Sequence, residues 1–379
     1  MLKSLSYVQK IQPYIPGKPV KEVERELGIK ECIKLASNEN PLGPSPLVIE
    51  EIKKFISNPV EIARYPEGSG YYLKNALCKF FSKKGCSITH DEIILGNGSN
   101  ELIDIAVRTY MAPGDEAVMA TPSFVVYPMS VTSQGGIPRE VPLKQYRHDL
   151  QEMLGQINEK TKIVFISNPN NPTGTINYSK EFDSFMKALP EGILVVVDEA
   201  YYEYVTNPDY PRSLDYFKEG RDILILRTFS KAYGLAGLRI GYGVAKKEII
   251  TEMNKIREPF NTNSIAQIAA TAALSDEEHL KKVIEINEEG KKYLYRELDR
   301  ITQIKYLPTQ ANFIYILLPD DITSKEVFDY LLRYGIIIRP VGTRQIRVTV
   351  GLPEENKAFI EAFRNFLGGN NNGYHRIKT

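Results

Sequence analysis

The stretch Ile223-Leu-Ile-Leu-Arg-Thr-Phe-Ser-Lys231-Ala-Tyr-Gly-Leu-Ala-Gly-Leu-Arg239 decides how this chain reads. It opens with the apolar run Ile223 to Leu226, the pattern of a short strand covered on both faces. It then sets one lysine among hydroxyls and small residues, with an arginine at 239. Gly234, Ala236 and Gly237 let a bulky ligand approach the backbone. A strand that ends this way delivers a primary amine and a fixed cation into an interior site. The bland alternative is a solvated surface lysine, the usual fate of that residue. The apolar run before Lys231 and the small residues after it argue against that.

A desolvated amine beside positive charge has a depressed pKa and condenses with carbonyls. A nearby arginine suits a phosphate. Pyridoxal phosphate carries both an aldehyde and a phosphate, so these residues point to it as the ligand.

The same grammar of apolar run followed by polar turn recurs upstream. Ile193-Leu-Val-Val-Val197 leads into Asp198-Glu-Ala-Tyr201, and Lys162-Ile-Val-Phe-Ile-Ser167 leads into Asn-Pro-Asn-Asn-Pro-Thr-Gly174. Ile93-Ile-Leu95 leads into Gly96-Asn-Gly-Ser-Asn100, and Ile240-Gly-Tyr-Gly-Val244 is a further strand candidate. Helical spacing lies between, as in Leu102, Ile103, Ile105, Ala106 and Val107. From about residue 90 to 245 this predicts an α/β fold with a mostly parallel sheet sandwiched by helices. Upstream, Val20, Val23 and Leu27 before Gly28 predict a short helix, and Ser45-Pro46 predicts a capped helix start. After residue 256 a charged helix is expected over 276–300. Strands are expected at Ala311 to Leu318, Gly335 to Arg339 and Gln345 to Val350, the pattern of a smaller α+β domain. The expected division is a large cofactor-binding domain at 40–256 and a small domain made of 1–39 and 257–379. The polar tail from Gly368 onward is expected to be frayed.

Forty-eight basic residues against 47 acidic ones give a net charge of +1. That balance gives no electrostatic reason to expect nucleic acid or an anionic membrane. No apolar run is long enough to span a bilayer, and no signal peptide is read at the N-terminus. The three cysteines make no C-x-x-C pair and the four histidines lack metal-ligand spacing. A cytoplasmic protein without a metal is expected.

Asp198 ends its strand, where ligands of open α/β sheets bind. A carboxylate there would hold a protonated pyridine nitrogen, or it would simply cap the next helix. Asn171 sits in a loop stiffened by two prolines, which either aims an amide at the cofactor's phenolic oxygen or is a plain turn. Tyr201 could share that oxygen. Gly98, Ser99 and Asn100 follow a strand and open a helix, an arrangement that suits an anion. Phe124, in Thr121-Pro-Ser-Phe-Val-Val-Tyr127, is a ring that stacks on the cofactor or fills core. Arg339 and Arg347 flank a turn at Pro340 and Gly342, so their guanidiniums would face each other across paired strands and grip a carboxylate or phosphate.

In that order these motifs resemble the fold-type I pyridoxal-phosphate aminotransferases. Among them the chain is similar to the histidinol-phosphate aminotransferases, from Pro13-Tyr-Ile-Pro-Gly-Lys18 to Arg347-Val-Thr-Val-Gly351. The resemblance implies that Lys231 binds the cofactor covalently. It implies Asp198 on the ring nitrogen, Asn171 and Tyr201 on the phenolic oxygen, and Thr228, Ser230, Arg239 and the Ser99-Asn100 amides on the phosphate. It implies a homodimer in which Tyr65 reaches the partner's cofactor phosphate. The substrate side rests on Tyr14, on Asn38 within Ala36-Ser-Asn-Glu-Asn-Pro-Leu-Gly43, and on Arg339 with Arg347. Gly98-Ser-Asn100 stands where some relatives have small-Asp-Glu, which keeps the backbone donors and changes the side chains. The expected reaction transfers the amino group of a small-molecule donor, L-histidinol phosphate, to a 2-oxo acid, 2-oxoglutarate. An aromatic-amino-acid aminotransferase and a threonine-phosphate decarboxylase are the rival enzymes. A ligand-sensing regulator would need a DNA-binding module for which the chain has no spare segment.

Overall fold

A computed structural model describes residues 2–14, 17–29 and 31–368, so the tail beyond Gly368 lies outside the described residues. Two sheets organise the chain. The larger has seven strands: β1 (Ile93–Gly96), β2 (Glu116–Thr121), β3 (Ile137–Pro142), β4 (Thr161–Ser167), β5 (Leu194–Asp198), β6 (Ile223–Thr228) and β7 (Gly241–Val244). Their spatial order is β1-β7-β6-β5-β4-β2-β3, and β7 alone runs antiparallel to its neighbours. Side chains alternate between two cores. Val195, Val197, Ile223 and Ile225 face one side, under helices Tyr71–Lys83, Ser179–Ala188 and Ser264–Ser275. Leu194, Val196, Leu224 and Leu226 face the other, under helices Ser99–Tyr110 and Lys247–Ile256. Each such aliphatic side chain contributes about 1.5–3 kcal/mol when fully buried, which is why the runs are continuous rather than alternating.

The smaller sheet is antiparallel, in the order β10-β11-β9-β8, from β8 (Lys305–Leu307), β9 (Phe313–Leu317), β10 (Arg339–Pro340) and β11 (Gln345–Thr349). It has its own core of Ile314, Ile316, Ile346, Val348, Phe359 and Phe363, joined by Leu35 from the N-terminal part. The long helix Glu277–Leu298 bridges the two. Its Leu280 packs on the first core, while Leu294 and Leu298 belong to the second.

The helix read at Val20 spans Val20–Leu27 and stops at left-handed Gly28; the Ser45 hydroxyl accepts from Val48 N as the cap of Pro46–Ile56. The segment read as one strand from Gly335 to Arg339 is divided. Ile336–Ile337 pairs in parallel with Ile33–Lys34, while Arg339–Pro340 joins β11. The N-terminal segment claims the first half through Ile33 N to Gly335 O and Leu35 N to Ile337 O, a long-range pairing that local pattern does not signal. Among the described residues no helix is long and apolar enough to cross a membrane.

The topology brings three strand ends together. Ser167 lies opposite Asp198 and Asp198 opposite Leu226, so the carboxyl ends of β4, β5 and β6 share one edge. The loops after them meet at the rim of the smaller sheet.

The joint between the layers depends on one close approach. A Cβ on Gly290, inside the bridging helix, would lie 2.5 Å from Val350 Cγ1. Alanine is the better helix former by about 1 kcal/mol, but the overlap costs about 1–3 kcal/mol. Gly290→Ala is therefore expected to lower the melting temperature; an increase would show that the contact yields without strain.

Candidate active site

Lys231 lines a cavity of about 190 Å³. The loop after β6 carries it, and its Nζ donates to Ser37 O at 3.0 Å, beside the Tyr201 ring. Burial, reinforced by the Arg347 guanidinium, pulls the ammonium from 10.5 down to about 8. The amine is thus partly neutral near neutral pH.

Asp198 is buried at the end of β5. Its Oδ2 accepts from Tyr127 OH at 2.8 Å and its Oδ1 from Ala200 N at 3.1 Å. The second bond is a local cap-like turn, so both readings of this residue describe part of the geometry. Burial raises its pKa, while the Tyr127 hydroxyl opposes the shift. A cation bound next to it would draw it back toward the ionised form.

Asn171 and Tyr201 lie on the same cavity, and each is held by a second residue. Arg347 Nη1 donates to Asn171 Oδ1 at 2.6 Å, and Asn38 Nδ2 donates to Tyr201 OH at 2.8 Å. A guanidinium donates only, so it fixes the amide oxygen and leaves Asn171 Nδ2 free to point elsewhere. Asn38 holds a left-handed backbone (φ 55°) and is tied to the smaller sheet through Thr349 Oγ1.

On the opposite wall, Gly98 caps helix Ser99–Tyr110 with no side-chain partner for the first amides. Gly98 has φ 77°, and a Cβ there would sit 2.5 Å from Arg239 Nη2. Glycine thus lets the guanidinium close over the helix start. Arg239 Nη1 donates to Ser230 Oγ at 3.2 Å and to Ala236 O at 3.1 Å, while Thr228 Oγ1 bonds Ser230 Oγ at 3.0 Å. Ser99, Asn100 and Phe124 complete this side.

Arg339 and Arg347 are direct partners across β10 and β11, so their side chains leave the same face. Arg347 reaches into the cavity, where Nη2 donates to Ala36 O at 2.7 Å and Nε has no partner. Arg339 stays at the rim, 5.3 Å from the centre of the Tyr14 ring. Tyr14 lines the cavity. Tyr65 does not. It is 82% exposed, stacks on Phe260 at 4.7 Å, and lines a separate groove with Leu47, Phe55 and Tyr72.

Tyr127, Ser37 and Ser167 belong to the site and escaped the sequence reading. Tyr127 had a signal, since it lies three residues after Phe124 in the quoted segment; Ser37 acts through its backbone carbonyl, which no residue type reveals.

The donor set fits pyridoxal phosphate. A depressed amine, a carboxylate held by a hydroxyl and an amide, and a helix start closed by an arginine would meet its aldehyde, ring nitrogen and phosphate.

Comparison with known proteins agrees. The family described as aminotransferase class I and II matches residues 30–363. The histidinol-phosphate aminotransferase of Moorella thermoacetica is 48% identical over 362 residues, 94% of this chain and 91% of that protein. That of Caldicellulosiruptor saccharolyticus is 44% identical over 365 residues, 95% of this chain and 99% of that protein. The solved histidinol-phosphate aminotransferase of Sinorhizobium meliloti, in complex with pyridoxal 5'-phosphate, superposes with a TM-score of 0.88 at 27% identity, covering 97% of this chain and 98% of that one.

The Lys231 environment has a consequence for stability. Its folded pKa lies below the unfolded 10.5, so between about pH 8 and 10.5 the unfolded chain binds more protons and stability rises with pH. Below that window the buried ammonium is a full penalty. In cofactor-free protein, Lys231→Met should melt higher at pH 7, on the order of 2 °C, with the advantage shrinking from pH 8 to 10.5. A pH-independent difference in melting would contradict this.

Proposed function

Since the chain belongs to the class I and II aminotransferase family, as a pyridoxal-phosphate-dependent enzyme, we propose that it moves the amino group of L-histidinol phosphate to 2-oxoglutarate. The products are imidazole acetol phosphate and L-glutamate, formed in two half-reactions through one pocket. The observation that carries this reading is the pair Arg339 and Arg347, opposed across two strands beside Tyr14, with Arg347 facing the cavity that holds Lys231. The names of relatives at 44–48% identity over nearly the whole chain support it.

When bound, the cofactor supplies an electron sink for negative charge at the substrate carbon that bears the nitrogen. Asp198 keeps the ring nitrogen protonated by facing it with a carboxylate. Thr228, Ser230, Arg239 and the first amides of helix Ser99–Tyr110 hold the phosphate. Phe124 covers the ring. Asn171 Nδ2 and Tyr201 OH donate to the phenolic oxygen, each oriented by its own partner. Lys231 Nζ, lowered toward neutrality, would take the proton from the substrate carbon that bears the nitrogen as general base and, as general acid, deliver it to the cofactor carbon that was its aldehyde.

Tyr14, Arg339 and Arg347 receive the phosphate ester of the donor. In the second half-reaction the same guanidiniums receive a dicarboxylate, which their planar forks accept equally well. The site of one subunit would be completed by another. Tyr65 is exposed, stacks on Phe260 and lines a groove with Leu47, Phe55, Tyr72 and Ile268, and in a homodimer it would reach the partner's cofactor phosphate.

The test is a competition among amino donors followed by kcat/KM. Histidinol phosphate is expected to exceed phenylalanine by about 10²-fold or more, the discrimination available when buried charged groups lose their partner. Parity or a preference for phenylalanine would make the enzyme an aromatic aminotransferase, and release of CO₂ from threonine phosphate would make it a decarboxylase.

A further inference from the structure

We propose that His148 is a positioning residue for Asn171, acting through Asn170 to set the loop that faces the cofactor. The inference rests on the reading of Asn171 as a donor to the phenolic oxygen. His148 lies outside the cavity and is 3% exposed. Its Nε2 meets Asn170 Oδ1 at 3.1 Å. Asn170 Nδ2 faces Pro122 O and Thr173 Oγ1, at 3.2 and 2.9 Å. The oxygen of the amide must therefore be the atom turned to His148, which makes Nε2 the protonated nitrogen.

Asn170 is a hub. Ser123 Oγ donates to the same Oδ1 at 2.8 Å, so one amide ties the loop of Phe124 to the loop of Asn171. Backbone bonds from Asn170 N to Thr175 O and from Gly174 N to Asn170 O close the second loop on itself. His148 also grips that loop's far end, since its carbonyl accepts from Asn177 Nδ2 at 2.8 Å.

The turn before His148 completes the clamp. Gln145 and Tyr146 both hold positive φ, 50° and 62°. Two consecutive non-glycine residues in that region are costly, and such strain persists only where the surroundings enforce it. Here Thr175 Oγ1 donates to Tyr146 O at 2.6 Å. The segment 145–148 thus holds the loop at Asn170, Thr175 and Asn177. His148 Nδ1 is buried with no partner, and burial pulls the ring down to about 4. A proton on Nδ1 would be stranded, so His148 stays neutral and its single N–H stays committed to Asn170.

A donor on the ionised phenolic oxygen lowers the apparent pKa of the bound chromophore, and its loss raises it. The experiment titrates the visible absorbance of the holoenzyme against pH and measures pyridoxal phosphate affinity. The variants are Asn171→Ala, His148→Ala, His148→Gln and Thr175→Val. Asn171→Ala is expected to raise the chromophore pKa by roughly one unit, and His148→Ala by roughly half a unit with cofactor affinity about threefold weaker. His148→Gln, which keeps a side-chain N–H within reach, should recover most of the shift. Thr175→Val tests the other end of the clamp should His148→Ala fail to fold, and should shift the pKa in the same direction. The inference is overturned if Asn171→Ala shifts the chromophore while the His148 and Thr175 variants do not. If Asn171→Ala itself leaves the titration unchanged, the phenolic-oxygen reading fails first and takes the inference with it.

Discussion

Positive charge that outnumbers the one carboxylate beside it, Asp198, is the constraint on which this molecule turns. Lys231, Arg239 and Arg347 converge on one cavity, and their hydrogen-bond partners among the described residues are neutral oxygens. Burying Arg347 and drawing Lys231 out of water with only neutral hydrogen-bond partners is costly, while Arg239 stays exposed. The cost is tolerable because three cores stabilise the scaffold around the site. It is useful because these cations suit anionic groups, and burial, reinforced by the Arg347 guanidinium, lowers Lys231 toward the reactive neutral amine.

The architecture decides where that charge sits. Parallel strands bring Ser167, Asp198 and the end of β6 to one edge, so an acid, an amine and two loops meet without a long connection. The antiparallel smaller sheet contributes what the parallel one does not: β10 and β11 set two arginines directly opposite each other, Arg347 reaching into the cavity and Arg339 at its rim beside Tyr14. The bridging helix joins the two by packing Leu280 on one core and Leu294 and Leu298 on the other, and Gly290 lets its backbone approach Val350 beside the smaller sheet.

Much of this was legible in local pattern. Continuous apolar runs exposed β4, β5, β6 and β7, and the polar turns after them carried Asn171, Asp198 and Lys231. What escaped had a physical reason in each case. β2, Glu116-Ala-Val-Met-Ala-Thr121, is short of β-branched residues, and edge strand β3 is mostly solvent-facing and carries prolines. The division of 335–340 between two sheets depends on Ile33–Lys34, some three hundred residues earlier in the chain. Tyr127 and His148 matter only through what they touch. A lone histidine without ligand spacing is silent in sequence; only the fold reveals that it faces Asn170.

The most direct test of the central claim asks what an anion is worth to the unpaired cations. Steady-state kcat/KM should be measured for histidinol phosphate and for histidinol, which differ only in the phosphate ester. If Arg347 and Arg339 await that group, removing it should lower kcat/KM by about 10³-fold or more, since charge-assisted bonds are lost and buried donors are left unpaired. Comparable values for the two compounds would mean that the cavity's positive charge serves some other end, and the account would fail.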